Sequence, residues 1–196
     1  MTFDLFPPSL PPGFRYLPDF ISVDEERALV AQVTSLEFSA VEMRGVVARR
    51  RTVHYGWTYG YYARRTEPGP PLPPFLTELR TRLAAWAGIA AELFVEALLT
   101  EYPAGAPIGW HRDAPMFGDI IAGVSLLSPS RMKFRPYVSP QDVNAGAPPR
   151  KTTHHLDLAP RSAYLITGPS RYDYEHSIPP VAALRYSITF RTIRAD

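Results

Sequence analysis

Three side chains in the second half of the chain have the types and the spacing to bind one metal ion. Side chains two residues apart in a strand point to the same face, so His111 and Asp113 can bind together while Trp110 and Arg112 face away. His176, much further along the chain, is the third candidate ligand. Two histidines and one carboxylate on one side of an iron ion leave the opposite positions open for oxygen and a cosubstrate. The pattern therefore predicts a non-haem iron site.

A strand near the C-terminus carries a second group of polar side chains. Alternation puts apolar residues on one face and two arginines with two hydroxyls on the other, namely Leu184, Tyr186, Ile188 and Phe190 against Arg185, Ser187, Thr189 and Arg191. Arginine binds a carboxylate through a rigid planar fork, so this polar face suits a dicarboxylic acid. The alternative is an edge strand with a solvated polar face, which is the commoner case for such a strand alone. The order His-x-Asp, His, Arg and Arg is much more specific than any of its parts.

On these motifs the chain resembles the AlkB family of Fe(II)- and 2-oxoglutarate-dependent dioxygenases. The family motifs are His-x-Asp, a distal His and Arg-x-Asn/Ser-x-Thr-x-Arg, and the similarity covers about residues 13–194. The resemblance implies that iron is bound by His111, Asp113 and His176. It also implies that Fe(II), 2-oxoglutarate and O2 take part in the reaction.

The resemblance implies cosubstrate roles as well. Arg185 would pair with the remote carboxylate of 2-oxoglutarate, and Arg191 would lie near the carboxylate that chelates iron. The family often has Leu-x-Asn-x-Tyr ahead of His-x-Asp, with the tyrosine near the cosubstrate. Here Tyr102 matches, whereas Thr100 stands in place of the commoner asparagine. We expect both residues, together with Ser187, to contribute to the cosubstrate site.

Residues 43–66 form the second informative stretch. They contain no acidic residue, and their candidate substrate-binding side chains are Arg49, Arg50, Arg51, Tyr55, Trp57 and Tyr59. Tyr55, Trp57, Tyr59 and Tyr61 recur with a period of two, which predicts a shared strand face. Basic side chains neutralise phosphates and exposed aromatic rings stack on unpaired bases. Alternatively the aromatic rings pack on a helix, but in the AlkB family this region forms a nucleotide-recognition lid, and that favours the functional interpretation.

Composition and patterning predict one domain over residues 1–196, with a proline-rich segment at 1–12. A capping box at Ser22 to Glu25 opens a helix to about residue 35, and a second helix begins near Pro73 or Pro74 and ends at Gly88. The core, residues 95–194, is β-rich, with strands predicted at 95–102, 108–113, 119–127, 131–137, 152–158, 162–168 and 184–194. Residues 139–150 are predicted to be a loop. The fold class is mainly β (α+β), and the resemblance implies a double-stranded β-helix (jelly roll) with flanking N-terminal helices.

The remaining composition excludes several kinds of site. The chain has no cysteine, so disulfides, thiolate metal sites and cysteine nucleophiles are excluded. A net charge of +2 means that any attraction to nucleic acid must come from local clusters of charge. Neither a targeting segment nor a membrane span is predicted, so we expect a cytoplasmic protein and a monomer. His54, His154 and His155 are expected to be structural or surface histidines.

The activity implied by the resemblance is oxidative demethylation of N-alkylated bases in single-stranded DNA or RNA, as in DNA repair, with formaldehyde released in the methyl case. The same metal and cosubstrate residues serve hydroxylases of proteins and small molecules, which is the first alternative. Several repair members carry an acidic residue soon after the aspartate of His-x-Asp, whereas this chain has Ala114 and Pro115. The second alternative is a non-catalytic jelly-roll module that binds RNA or a protein. Three intact ligands favour an enzyme.

Overall fold

The computed structural model of the protein describes residues 10–43, 45–60, 65–144 and 151–194. Four helices and twelve strands lie in this part of the chain, joined in places by turns of 3-10 helix at Pro74–Leu76 and Ala91–Leu93. In chain order the elements are β1 (Phe14–Leu17), α1 (Val23–Val33), β2 (Ser39–Met43), β3 (Val46–Gly60), β4 (Arg65–Pro68), α2 (Thr77–Ala87), β5 (Glu96–Tyr102), β6 (Ile108–His111), β7 (Phe117–Leu126), β8 (Ser130–Pro136), α3 (Pro140–Asn144), β9 (His154–Leu158), β10 (Ala163–Ile166), α4 (Gly168–Tyr172), β11 (Tyr174–Ile178) and β12 (Arg185–Ile193).

The strands form two antiparallel sheets in the described part of the chain. The larger sheet has the order β1-β10-β7-β12-β5-β3-β2, with β4 added to β3, and the smaller sheet has the order β6-β11-β8-β9. The inner faces of the two sheets enclose an apolar cluster that includes Ile121, Phe134 and Leu158. The predicted mainly β jelly roll with N-terminal helices is confirmed. No helix in the described ranges has the length and apolar content to cross a membrane.

Helices α1 and α2 cover the outer face of the larger sheet. Ser22 and Glu25 form the predicted capping box, because the Ser22 hydroxyl accepts from the Glu25 amide while the Glu25 carboxylate accepts from the Ser22 amide. Helix α2 ends at Gly88, whose φ of 78° is easily adopted only by glycine. Their apolar sides, with Val33 and Leu83 fully buried, pack in one cluster with outer-face residues of the sheet. This packing fixes the sheet from outside.

Strand β12 is a central strand, paired with β5 on one side and β7 on the other. Its outer face packs on the helices, while its inner face carries Arg185, Ser187, Thr189 and Arg191, all buried. The alternative of an edge strand with a solvated polar face is therefore wrong. A row of buried polar groups needs partners, since an unpaired polar group in the interior costs free energy.

Several boundaries differ from the sequence-based predictions. β6 ends at His111, so Asp113 lies in the turn that follows and not in a strand reaching residue 113. The loop predicted at 139–150 contains the short helix α3 over its described part, because Ser139 accepts a hydrogen bond from the Asp142 amide. β1, β11 and α4 were not predicted. Each is short, and four or five residues contain too few alternations to reveal a period.

Gly123 tests how tightly the inner face is packed. A Cβ at this position of β7 would lie 2.2 Å from the ring of the buried Tyr164, whereas at Gly109 in β6 it would meet no atom within 4 Å. We expect Gly123→Ala to lower the free energy of unfolding by about 1 to 3 kcal/mol through overpacking. Gly109→Ala, the matched control, should stay within about 0.5 kcal/mol. Urea unfolding measures both, and equal effects would contradict the packing described here.

Candidate metal and cosubstrate site

Two neighbouring strands bring the three predicted metal ligands together. His111 ends β6, and His176 lies directly opposite it in β11. The ring centroids are 4.3 Å apart, and Nε2 of His176 lies 3.7 Å from Oδ2 of Asp113. The candidate ligand atoms of all three residues lie within 4.8 Å of one another. One metal ion could therefore be shared among them.

Both histidines are held in the form that binds metals. Burial lowers the pKa of His176 to about 3, and it also lowers the pKa of His111 below its usual range, so both rings are neutral at pH 7. Nδ1 of His111 lies 2.9 Å from the carbonyl oxygen of Gly109. A carbonyl only accepts, so Nδ1 carries the proton and Nε2 keeps its lone pair for a metal.

The carboxylate of Asp113 is held ionised. Burial alone would raise its pKa, but the charge of Arg191, with a smaller contribution from Arg171, keeps the pKa of Asp113 well below its usual range. Arg191 donates to Oδ1 from Nε at 2.7 Å, and its Nη2 lies 2.6 Å from the same oxygen. Two neutral imidazoles and one carboxylate, with the remaining side open, are the donor set that suits non-haem Fe(II). The residues therefore fit iron.

Arg185 is a fully buried cation whose donors are only partly used. Its Nη2 donates to the Ser125 hydroxyl at 2.9 Å, and its guanidinium lies 5.0 Å from the ring centroid of Tyr102. Nε and Nη1 have no hydrogen-bond partner among the residues that the structure describes. Burying a charge without a partner is costly. Nitrogens without a partner on a buried guanidinium favour a carboxylate ligand at this place.

The other predicted cosubstrate residues line the same inner face. Tyr102 is opposite Arg185, and Thr100 is opposite Ser187, in the register of β5 and β12. Arg191 differs from Arg185, because all three of its nitrogens lie beside carboxylates of the protein: Nη1 donates to Glu96 at 2.9 Å, Nε donates to Asp113, and Nη2 lies 2.6 Å from the same Asp113 oxygen. Arg185 therefore has nitrogens left for a ligand, whereas those of Arg191 are used within the protein.

Four residues at the site were not predicted from the sequence: Ser125, Tyr164, Glu96 and Arg171. The buried Tyr164 lies close to Thr189 and Arg185, and burial raises the pKa of its phenol. Arg171 donates to four backbone carbonyls, including that of Asp113 at 3.2 Å, and so holds the turn after β6. Glu96 shares the alternation of Thr100 and Tyr102 in β5, so a pattern for this residue was present in the sequence.

The candidate substrate residues of the 43–66 stretch do not form one surface. Arg51 and Tyr55 lie on the helix-covered face of the larger sheet, where Arg51 donates to Glu101 at 2.5 Å and Tyr55 packs against the apolar cluster. Gly56, with φ of 76°, interrupts the regular alternation before Trp57. Trp57 is 39% exposed and lines a cavity with Arg80 of α2. Tyr55 and Trp57 therefore both lie towards the helices, as the alternative interpretation expected.

The other candidate residues of that stretch have separate surroundings. Arg50 lies close enough to His111 for its charge to lower the pKa of that ring, although burial is the larger cause. Arg49 donates weakly to the Gly105 carbonyl at 3.4 Å. Tyr61 and the side chain of Tyr59 lie outside the described residues. Of the six candidates, the structure thus places Arg50 near the metal ligands.

The other three histidines take no part in the metal cluster among the described residues. His154 and His155 lie in β9, with the His154 ring 5.5 Å from that of Tyr174. His54 points to the inner face, where Nδ1 lies 3.2 Å from Glu96. All three are structural or surface residues in the described structure, as the sequence indicated.

Comparison with known proteins agrees with this geometry. The sequence pattern of the 2OG-Fe(II) oxygenase superfamily matches residues 13–191, and the chain belongs to this superfamily. Its enzymes use Fe(II), 2-oxoglutarate and O2. Within the superfamily the chain is AlkB-like.

Two relatives with similar sequences carry ALKBH8 in their names. The chain is 31% identical over 182 residues to the alkylated DNA repair protein ALKBH8 homolog of Arabidopsis thaliana, covering 86% of this chain and 51% of that protein. It is 26% identical to the tRNA (carboxymethyluridine(34)-5-O)-methyltransferase alkbh8 of Xenopus tropicalis, covering 90% of this chain and 27% of that protein. The chain thus spans about half and about a quarter of these two relatives.

Two solved structures share the fold. OsALKBH1 superposes with a TM-score of 0.69 at 15% identity and covers 95% of this chain and 100% of that one. A prolyl-4-hydroxylase from Pseudomonas putida gives a TM-score of 0.57 at 14% identity, with 94% of each chain covered. At these identities the similarity shows the jelly-roll fold alone.

Arg185→Lys tests whether the unpaired nitrogens of Arg185 bind the cosubstrate. Lysine keeps the charge but not the planar pair of donors, so the affinity for 2-oxoglutarate should fall by about 1.5 to 3 kcal/mol, the range for a hydrogen bond to a charged group. Mn(II) affinity should be unchanged, because Arg185 does not contact the metal ligands. Calorimetry measures both, with Mn(II) titrated into the metal-free protein and 2-oxoglutarate into the Mn(II)-loaded protein. Arg82→Lys, which alters an arginine bonded to Glu25 on the helical side, is the control, and equal affinities in all three proteins would contradict the assignment.

Proposed function

We propose that the protein is an Fe(II)/2-oxoglutarate dioxygenase that removes N-alkyl groups from nucleic acid by oxidation. The observation that carries the proposal is the buried Arg185, with two open donors, on the inner face that also holds the His111, Asp113 and His176 cluster. A non-catalytic module would need neither a buried unpaired cation nor three converging ligands. The relatives named for alkylated DNA repair and for tRNA modification support a nucleic-acid substrate.

The protein's own residues bind and orient the reactants. His111, Asp113 and His176 would hold iron, and Arg185, with Tyr102 and Ser187, would hold the remote carboxylate of 2-oxoglutarate. When bound, Fe(II) supplies the redox chemistry by which O2 converts 2-oxoglutarate to succinate and CO2 and adds one oxygen atom to the alkyl group. The hydroxylated N-alkyl group then leaves as an aldehyde. Burial of the Asp113 and His176 side chains limits the access of bulk water to the metal ligands.

A group of arginine and aromatic side chains supports a nucleic acid over other substrates. This rim consists of Arg112, Tyr137, Tyr172 and Arg194. The Arg112 guanidinium lies 3.4 Å from the Tyr137 ring centroid and donates to the Tyr172 carbonyl at 3.0 Å. Arg112 stands between His111 and Asp113 in the sequence, so its backbone is adjacent to two of the candidate metal ligands. Cations beside aromatic rings suit the phosphates and unpaired bases of a single strand.

A second candidate function is hydroxylation or demethylation of a protein or small molecule. The observation that favours it is the pair Ala114 and Pro115, where several repair members of the AlkB family carry acidic residues. Asp119, the nearest acidic residue further on, accepts a hydrogen bond from the Tyr172 hydroxyl. Its carboxylate is therefore already engaged within the protein.

One assay separates these functions. The Fe(II)-loaded protein is incubated with 2-oxoglutarate and with methylated single-stranded DNA, duplex DNA, tRNA or a protein, and formaldehyde and succinate are measured together. His176→Ala is the control that removes a metal ligand. Formaldehyde formed only with nucleic acid supports the proposal. Turnover with protein alone would favour the second candidate, and no turnover of 2-oxoglutarate under any condition would contradict a dioxygenase.

Arg112→Gln tests the rim. If Arg112 contacts a phosphate, the variant should bind single-stranded nucleic acid more weakly. The slope of log K against log salt should become shallower by about 0.7 to 0.9, because one counterion fewer is released on binding. The control is Arg51→Gln, because Arg51 lies on the helix-covered face of the larger sheet. This variant should keep the wild-type slope. Fluorescence anisotropy at several salt concentrations measures the slopes. Identical slopes for the wild type and Arg112→Gln would remove the rim from the binding surface.

A further inference from the structure

Glu96 is a buried carboxylate that none of the recognised motifs contains. It is 1% exposed and lies on the inner face of β5, opposite Arg191 of β12. Oε2 accepts from Nη1 of Arg191 at 2.9 Å, and Oε1 lies 3.2 Å from Nδ1 of His54. Carboxylates are rarely buried to this degree unless they are paired. Both oxygens of Glu96 are thus engaged, one by Arg191 and one by His54.

Arg191 joins Glu96 to the metal cluster. Its guanidinium is rigid and planar, so fixing Nη1 on Glu96 also fixes the directions of Nε and Nη2. Nε donates to Oδ1 of Asp113 at 2.7 Å, and Nη2 lies 2.6 Å from the same oxygen in an ion pair. The other oxygen, Oδ2, lies on the side of His176, 3.7 Å from its Nε2. One oxygen of Asp113 is therefore occupied, and the other faces the candidate metal position.

We propose that Glu96, supported by His54, is a positioning residue that makes Asp113 bind metal through one oxygen only. Glu96 holds the Arg191 fork in the plane in which it occupies Oδ1, and Oδ2 is left as the ligand. A carboxylate that binds through one oxygen keeps a coordination position open that two-oxygen binding would take, and the open positions are where the cosubstrate and oxygen bind. The inference rests on the proposed Fe(II)/2-oxoglutarate function but not on the choice of substrate.

The chain offers a matched control on the same strand. Glu101 lies in β5 as well, is also buried, and accepts from Nε of Arg51 at 2.5 Å. It points to the outer face of the sheet, away from the metal ligands. Glu101→Gln therefore removes a buried carboxylate that pairs with an arginine, as Glu96→Gln does, without touching the chain of contacts to Asp113.

A second substitution distinguishes the effect of the Glu96 charge from the effect of its position. Glu96→Asp keeps the negative charge but shortens the side chain by one methylene, so it cannot hold Arg191 from the same distance. If only charge balance mattered, Glu96→Asp would behave as the wild type. If position matters, both Glu96→Asp and Glu96→Gln lose metal affinity. His54→Asn removes the second contact to the carboxylate from a half-exposed position and is the variant to use if Glu96→Gln does not fold.

The experiment is Mn(II) binding by calorimetry, with urea unfolding of each variant measured in parallel. We expect Glu96→Gln and Glu96→Asp to bind Mn(II) about 10- to 100-fold more weakly, the usual effect of losing a group that orients a ligand. Glu101→Gln should keep the wild-type affinity even where its stability falls, and His54→Asn should lose affinity in the same direction by less. Wild-type affinity in Glu96→Gln, or in Glu96→Asp, would overturn the positioning role alone. A wild-type protein that binds no Mn(II) would overturn the proposed function itself, and the inference with it.

Discussion

Two arginines are buried on the inner face of one central strand, and the site depends on how each of them is paired. Arg191 is neutralised by Asp113 and Glu96, so its charge is satisfied within the protein. Arg185 has one hydroxyl partner and two open donors. A buried cation in this state is costly, and a bound carboxylate would remove that cost. The two pairings divide the inner face into a part that orients a metal ligand and a part that receives a dicarboxylic acid.

Such a polar interior requires support from the rest of the fold. The outer face of the larger sheet packs on α1 and α2 in an apolar cluster that includes Phe190 and Leu83. The inner space between the sheets is filled by a second apolar cluster, in which Phe134 of β8 lies opposite His176. Apolar burial on both sides stabilises β12 while its polar groups face inward. Precise placement of the ligands follows, because the strands that carry them are held by packing and by paired backbone hydrogen bonds.

The sequence predicted those parts of the site that depend on short-range patterns. The alternation of β12 and the capping box at Ser22 each lie within a few residues, and local geometry is enough to interpret them. The spacing of His-x-Asp identified the two ligands, although Asp113 lies outside β6. The 43–66 stretch shows where this method fails. Tyr55 and Trp57 both lie towards the helices, where Tyr55 packs against the apolar cluster and Trp57 lines a cavity with Arg80. Alternation in a single sequence does not tell whether an aromatic face binds a substrate or packs on another element.

Other parts of the site depend on contacts between distant residues. Arg171 holds the turn that carries Asp113 across a separation of 58 residues, and Glu96 reaches Arg191 across 95. Neither pair has a spacing that indicates contact. Thr100 could be placed near Arg185 only by the resemblance to a known family, and the strand register then brought it to the predicted face. The long-range pairing of strands is therefore what completes a site whose individual residues are visible in the sequence.

If the site works as proposed, the metal cluster and Arg185 bind one dicarboxylic acid together. Calorimetric titration of the protein with 2-oxoglutarate, in the presence and absence of Mn(II), tests this most directly. We predict that one molecule of 2-oxoglutarate binds per chain and that it binds much more tightly when Mn(II) is present. This metal dependence should be lost in Asp113→Ala. Binding of equal strength with and without Mn(II), or a metal dependence that survives in Asp113→Ala, would contradict it.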